Sequence, residues 1–254
     1  MVACTWSADP VTKDSDIVKR ALGYPYLRPL HSYILKNGRI QRLDAYTPET
    51  NRTPVLACGS NAAPEQLIRK FSGIETSEIP VTYTRLDNFV SAYSPHISGY
   101  GAIPATLLPM EGASTSCHIT WLTPEQLDVM HKSEAVGVNY RYSKLSNINL
   151  NCDLTGHHHS IHAYIGRRGY LSFNNQPAVL KEIPFSRSWH NCLPLTQEAV
   201  QVKVMHKLTD KINLNRYIVE NTDKLIRNSR IEKLQNYRED YPDFQEEILL
   251  DKNK

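Results

Sequence analysis

The stretch Pro54–Phe71, PVLACGSNAAPEQLIRKF, changes character twice within a few residues. Val55 to Cys58 is an apolar run of the length of a buried strand. It breaks at Gly59-Ser60-Asn61, where the backbone can turn sharply and approach a ligand. A helix is predicted next: Pro64 suits a first helical position, Glu65 the first turn, Arg69 and Lys70 the last turn, and Gly73 a stop. The expected N-cap, Ala63, carries no capping oxygen, so amides near Gly59 to Ala63 are left for an anion or a polarised carbonyl. An ordinary strand-turn-helix uses the same residues, so the segment by itself defines local structure without deciding chemistry.

Working outward toward the N-terminus, Asn37-Gly38 predicts a hairpin between Ser32–Leu35 and Arg39–Leu43, and Thr47–Arg52 reads as a linker. Residues 1–52 are therefore expected as an extension packed on a core. Toward the C-terminus, Val81–Leu86 and Phe89–Tyr93 predict two strands turning at Asp87-Asn88. Ala105–Leu108 and Ser116–Leu122 predict two more around a turn at Pro109–Gly112. Between these pairs, Ser94–Gly101 has the composition of a loop able to border a pocket.

The next helix has the clearest start: Thr123 as N-cap, Pro124 at the first helical position and Gln126 completing a capping box. Leu127, Met130 and Glu134 fall at i, i+3 and i+7, so a helix continuing that far projects Glu134 from its apolar face. Burial there raises a carboxyl pKa toward neutrality, as acid/base work requires. A helix ending earlier leaves Glu134 in water. Beyond Gly137, Asn139–Leu145 and Ser160–Ile165 are predicted as paired strands joined by a polar loop, Asn149–His159. The cluster His157-His158-His159 with His162 and Cys152 raises a metal site, but adjacent loop histidines lack the spacing of a rigid one, and a solvated tip is the preferred reading. Leu195–Leu208 fits either a helix or a strand, while Ile212–Ile226 and Ile231–Leu250 read as charged surface or partner helices.

Composition narrows the classes. The 254 residues carry 29 basic and 26 acidic side chains, net +3, too balanced to suggest nucleic acid or an anionic membrane as partner. The five cysteines are widely spaced, odd in number and never in a C-x-x-C pair, which argues against a disulfide framework or cysteine-rich zinc site. No signal pattern or membrane-length apolar run is present, and the expected location is cytoplasmic.

The chain resembles the γ-glutamylcyclotransferase-like (AIG2-like) superfamily. The resemblance rests on Cys58-Gly59-Ser60-Asn61, where members place Y-G-S-N after a strand; on Met130-His131-Lys132-Ser133-Glu134-Ala135, where they place a Glu after a short helix, commonly in L-D-x-x-E-G; and on Tyr140, at a position commonly aromatic. It spans about Pro54 to Ile165. Cys58, Ala135 and His118 depart from the usual Tyr, Gly and Gly. The resemblance implies an α+β fold: a small mixed β-barrel or sheet with flanking helices over 53–170, followed by a mainly helical C-terminal extension over 171–254. It further implies release of 5-oxoproline from a γ-glutamyl amine or peptide by attack of the substrate's own α-amine. Glu134 would be the general acid/base, Cys58, Gly59, Ser60, Asn61, Ala62 and Tyr140 would bind substrate, and neither metal nor cofactor would be required. A protein partner or self-association would fall to the C-terminal helices. Two other readings stay open: a non-catalytic binding or interaction protein that retains the pocket, and Cys58 as a nucleophile.

Overall fold

The computed structural model describes residues 14–72, 78–186, 191–209 and 212–251. The chain begins with helix α1 (Asp14–Leu22), followed by the hairpin β1 (Tyr33–Lys36) and β2 (Arg39–Arg42) turning at Asn37-Gly38. Strand β3 (Thr53–Ala57) leads through a short 3-10 turn, Ser60–Ala62, into α2 (Pro64–Phe71). Ala63 is its N-cap, without a side-chain hydrogen bond, and Pro64 stands in the first turn. The helix ends at Phe71, and Gly73, the expected stop, lies outside the described residues.

Two pairs of expected short strands are each one long strand. β4 (Ile79–Tyr93) and β5 (Ala105–Leu122) run antiparallel along their length, and Asp87-Asn88 forms a bulge instead of a turn. Asn88 sits at φ +62°, and its side-chain oxygen accepts the Gly112 amide at 2.9 Å. Residues that tolerate positive φ serve bulges as well as hairpins, so the signal was real and its meaning different.

Helix α3 (Pro124–Ser133) keeps its Thr123/Gln126 capping box and stops at Ser133, with Glu134 as C-cap and Ala135 at φ +48°. Strands β6 (Tyr140–Cys152) and β7 (Gly156–Gly166) follow as an antiparallel pair. The polar loop expected over Asn149–His159 is therefore a correction: its ends are strand, and His157 to His159 lie on β7. Pairing of Leu150 with His158 and of Asn151 with His157 carries the ladder through polar residues, because the backbone supplies those bonds whatever the side chain.

The C-terminal part holds β8 (Tyr170–Phe173), β9 (Gln176–Leu180), β10 (Phe185–Ser186), β11 (Leu193–Leu195), α4 (Gln197–Leu208), α5 (Leu214–Glu220), α6 (Lys224–Leu234), β12 (Arg238–Glu239) and β13 (Glu246–Leu250). It is mixed, correcting the expected mainly helical extension. Leu195–Leu208 resolves as a helix beyond Leu195, with Thr196 as N-cap. The expected helix over Ile231–Leu250 ends at Leu234, and its last residues pair with β6 as a strand. Glu246 secures that strand, its two carboxylate oxygens accepting from Arg141 at 2.6 and 2.7 Å.

The architecture is α+β around a closed, mixed five-strand barrel. The ring runs β5-β3-β7-β6-β4 and closes through β4–β5; β3–β7 is its parallel pairing. The segments outside 53–170 are built into this sheet: β1 and β9 pair with β4, and β13 with β6. A shared apolar core joins α1, Tyr24 and the Tyr93–Ala105 segment to α4, α5 and α6. Among the described residues no helix is long and apolar enough to cross a membrane.

Candidate active site

Where β3 ends, the chain turns into a cavity of about 490 Å³. Gly59 is required there by close approach, since a Cβ at this position would lie 2.6 Å from the Tyr24 hydroxyl oxygen and 3.0 Å from Ala105 Cβ. The Tyr24 hydroxyl accepts the Ala105 amide at 2.6 Å, which ties the N-terminal segment to the start of β5 across the turn. The first amides of the following helical turn have no intrahelical acceptor, leaving a natural place for an anion.

Glu134 reaches the same cavity from the end of α3. Its side chain is 13% exposed, and it has acquired a partner: the Lys70 ammonium ion-pairs with its Oε1. Asn61 Nδ2 donates to the same oxygen at 3.2 Å, and Lys70 donates to Asn61 Oδ1 at 2.7 Å, closing a three-residue network. Helical Cα–Cβ bonds tilt toward the N-terminus, so the Lys70 stem runs back along α2 toward the turn. The helix thus ends before Glu134, yet the side chain is not left in water: it caps the helix, and a buried lysine compensates its charge. Glu134 Oε2 takes no hydrogen bond from any described residue and remains available to a ligand.

Of the residues expected to bind substrate, Cys58, Gly59, Ser60, Asn61 and Tyr140 line this cavity with Glu134. Ala62 does not; it is fully buried, and its carbonyl accepts from the Tyr33 hydroxyl at 2.8 Å. Tyr140 is part of the wall, its hydroxyl donating to the Ala105 carbonyl at 2.7 Å. Burial, with Cys117 and Glu134 adding to it, pushes the Cys58 thiol above its usual range, which opposes thiolate formation and the nucleophile reading. His118 packs between Tyr33 and Tyr83 and bonds the Pro29 carbonyl at 2.9 Å. A carbonyl only accepts, so Nε2 carries the proton, and burial together with Arg28 lowers the His118 pKa to about 3.

The sequence reading missed much of the lining. Along the chain Lys70 reads as an ordinary last-turn cation, and Arg20 and Tyr24 lie in the N-terminal extension. His96 and Tyr100 belong to the Ser94–Gly101 loop, which does border the pocket. That loop is held from behind by the C-terminal part: Gln235 donates to the Pro95 carbonyl at 2.9 Å and Gln201 to the Gly101 carbonyl at 2.6 Å. Gly101, at φ +86°, fits against the Ile218 carbonyl, where a Cβ would lie 2.9 Å away. Only spacing in three dimensions relates these residues, so no local pattern announces them. Among the described residues, no group of three His, Cys, Asp or Glu side chains is placed to hold a metal ion.

The described residues form a closed five-strand barrel with a pocket at the end of β3. Among solved structures, the solution structure of a protein from Arabidopsis thaliana is similar to this chain at TM-score 0.34 and 10% identity, over 48% of this chain and 66% of that one. No protein-family model and no curated protein matches the chain.

Proposed function

We propose that the protein releases 5-oxoproline from a γ-glutamyl compound by cyclisation. The observation that carries this reading is the convergence of the Gly59–Asn61 turn and the Glu134 carboxylate on one cavity, with Glu134 Oε2 unengaged by any described residue. In the reaction the substrate's α-amine attacks its own side-chain carbonyl. A C–N bond forms to close the five-membered ring, and the original amide C–N bond breaks. Glu134 takes the proton that the attacking nitrogen sheds and delivers it to the departing nitrogen, so charge and atoms balance without an enzyme nucleophile. The cavity contributes by holding amine and carbonyl together, converting lost freedom into rate. Amides of the turn stabilise the α-carboxylate or the oxyanion. Lys70 and Asn61 position the carboxylate by fixing Oε1, which turns Oε2 to the substrate.

A second reading is favoured by one observation. The Lys70 ammonium already occupies Glu134 much as a substrate α-ammonium would, so the pocket also suits a protein that binds γ-glutamyl compounds without consuming them. Incubation with γ-glutamyl amines and dipeptides separates the two. Equal amounts of 5-oxoproline and free amine by mass spectrometry support cyclisation. A raised melting temperature with no product supports binding alone.

A further inference from the structure

Charge around the cavity is unevenly matched. The side chains lining it include three permanent or near-permanent cations, Arg20, Arg69 and Lys70, against one carboxylate, Glu134. Lys70 is paired with Glu134, and Arg69 ion-pairs with Glu65 while donating to Gln66 at 2.9 Å. Arg20 has no carboxylate among the described residues. Its guanidinium carbon lies 4.4 Å from the centre of the Tyr100 ring, and its Nε is buried with no hydrogen-bond partner. An aromatic face supports a guanidinium while leaving its edge donors directed outward, an arrangement suited to a carboxylate. His96 lines the same cavity; it is 4% exposed, and its buried Nδ1 has no hydrogen-bond partner among the described residues.

A γ-glutamyl group brings one carboxylate and one ammonium and is neutral overall. Under the cyclisation reading, on which this step rests, the ammonium end faces Glu134 and the α-carboxylate faces the turn amides. The unmatched positive charge of Arg20 is then left for an acid elsewhere on the ligand. We propose that Arg20, supplied by the N-terminal helix from outside the barrel, is a substrate-binding residue for a carboxylate on the departing amine. The preferred ligand is a γ-glutamyl amino acid or peptide with a free acid end, in preference to a γ-glutamyl amine. The neutral His96 imidazole offers the same ligand a hydrogen bond without adding charge.

The test uses the full chain and two matched probes, γ-glutamylglycine and its uncharged glycinamide counterpart, which differ only in the distal acid. Apparent affinities come from the ligand-dependent rise in melting temperature for the unmodified protein, Arg20→Met and Arg20→Lys. The expected result is about tenfold tighter binding of the acid by the unmodified protein, the scale of one charge-assisted hydrogen bond. Arg20→Met should abolish that preference while binding the amide unchanged, and Arg20→Lys should restore part of it. Binding of both probes with the same preference in all three proteins overturns the role of Arg20 and leaves the cyclisation reading standing. Failure of both probes to bind the unmodified protein overturns the cyclisation reading and, with it, the role of Arg20.

Discussion

Two of the cations lining the cavity, Lys70 and Arg20, differ in what they face. Lys70 and Glu134 are 7% and 13% exposed, and they neutralise one another within a network that includes Asn61. Arg20 rests on Tyr100 and meets no carboxylate among the described residues. The first is matched within the protein; the second, under the proposal above, is matched by a ligand. Stability should therefore depend on the first and ligand preference on the second.

Lys70→Met is the sharpest way to break that contrast. Removing one partner of a buried pair strands the other, so this change should lower unfolding free energy by about 3 kcal/mol in urea denaturation. Arg20→Met, with no ionic partner to strand, should stay within about 0.5 kcal/mol of the unmodified protein. Equal losses would remove the distinction between the two.

The tie between the N-terminal segment and the cavity comes next in size. Tyr24→Phe deletes the oxygen that accepts the buried Ala105 amide, and an unsatisfied buried donor costs about 1 to 3 kcal/mol. The loss should appear as a lower urea midpoint with an unchanged slope.

Two buried histidines give stability a common pH dependence. His118, inside the barrel and bonded to Pro29, and His96, at the cavity, both have pKa values lowered to about 3, chiefly by burial. Their unfolded values lie near 6.5, so between these limits the unfolded chain binds protons that the folded chain refuses. Stability contributed by their neutral forms is complete above about pH 6.5 and is lost as pH falls toward 3, at up to about 1.4 kcal/mol per pH unit for each histidine. His118→Asn should flatten the decline of melting temperature between pH 6.5 and 4. An unaltered profile would show that His118 does not drive it.

The barrel half of this molecule was more legible in the sequence than the half contributed by the termini. Periodicity gave β3, α2 and α3, and the capping box gave the start of α3 because caps are local chemistry. Asn88 and Gly112 signalled positive φ without saying whether the chain reverses or merely bulges, since that depends on the partner strand. The strand Glu246–Leu250 was hidden among charges because Arg141, not an apolar face, is what Glu246 meets. Glu134 and the Gly59 turn could be proposed as partners from the resemblance. Lys70, Arg20 and His96 could not, because each looks ordinary along the chain and becomes informative only beside residues far from it in sequence.

The central claim is that Glu134 carries the proton in 5-oxoproline release, and the direct measurement is the initial rate of 5-oxoproline formation from a γ-glutamyl dipeptide by the unmodified protein and by Glu134→Gln. The glutamine retains the size of the side chain and an oxygen for Lys70 and Asn61, so the variant should melt as a folded protein, at a lower temperature because the Lys70 charge loses its partner. Its rate should fall by about a hundredfold to ten-thousandfold, the range of general acid/base catalysis. A folded Glu134→Gln protein that forms 5-oxoproline at the unmodified rate would contradict the account.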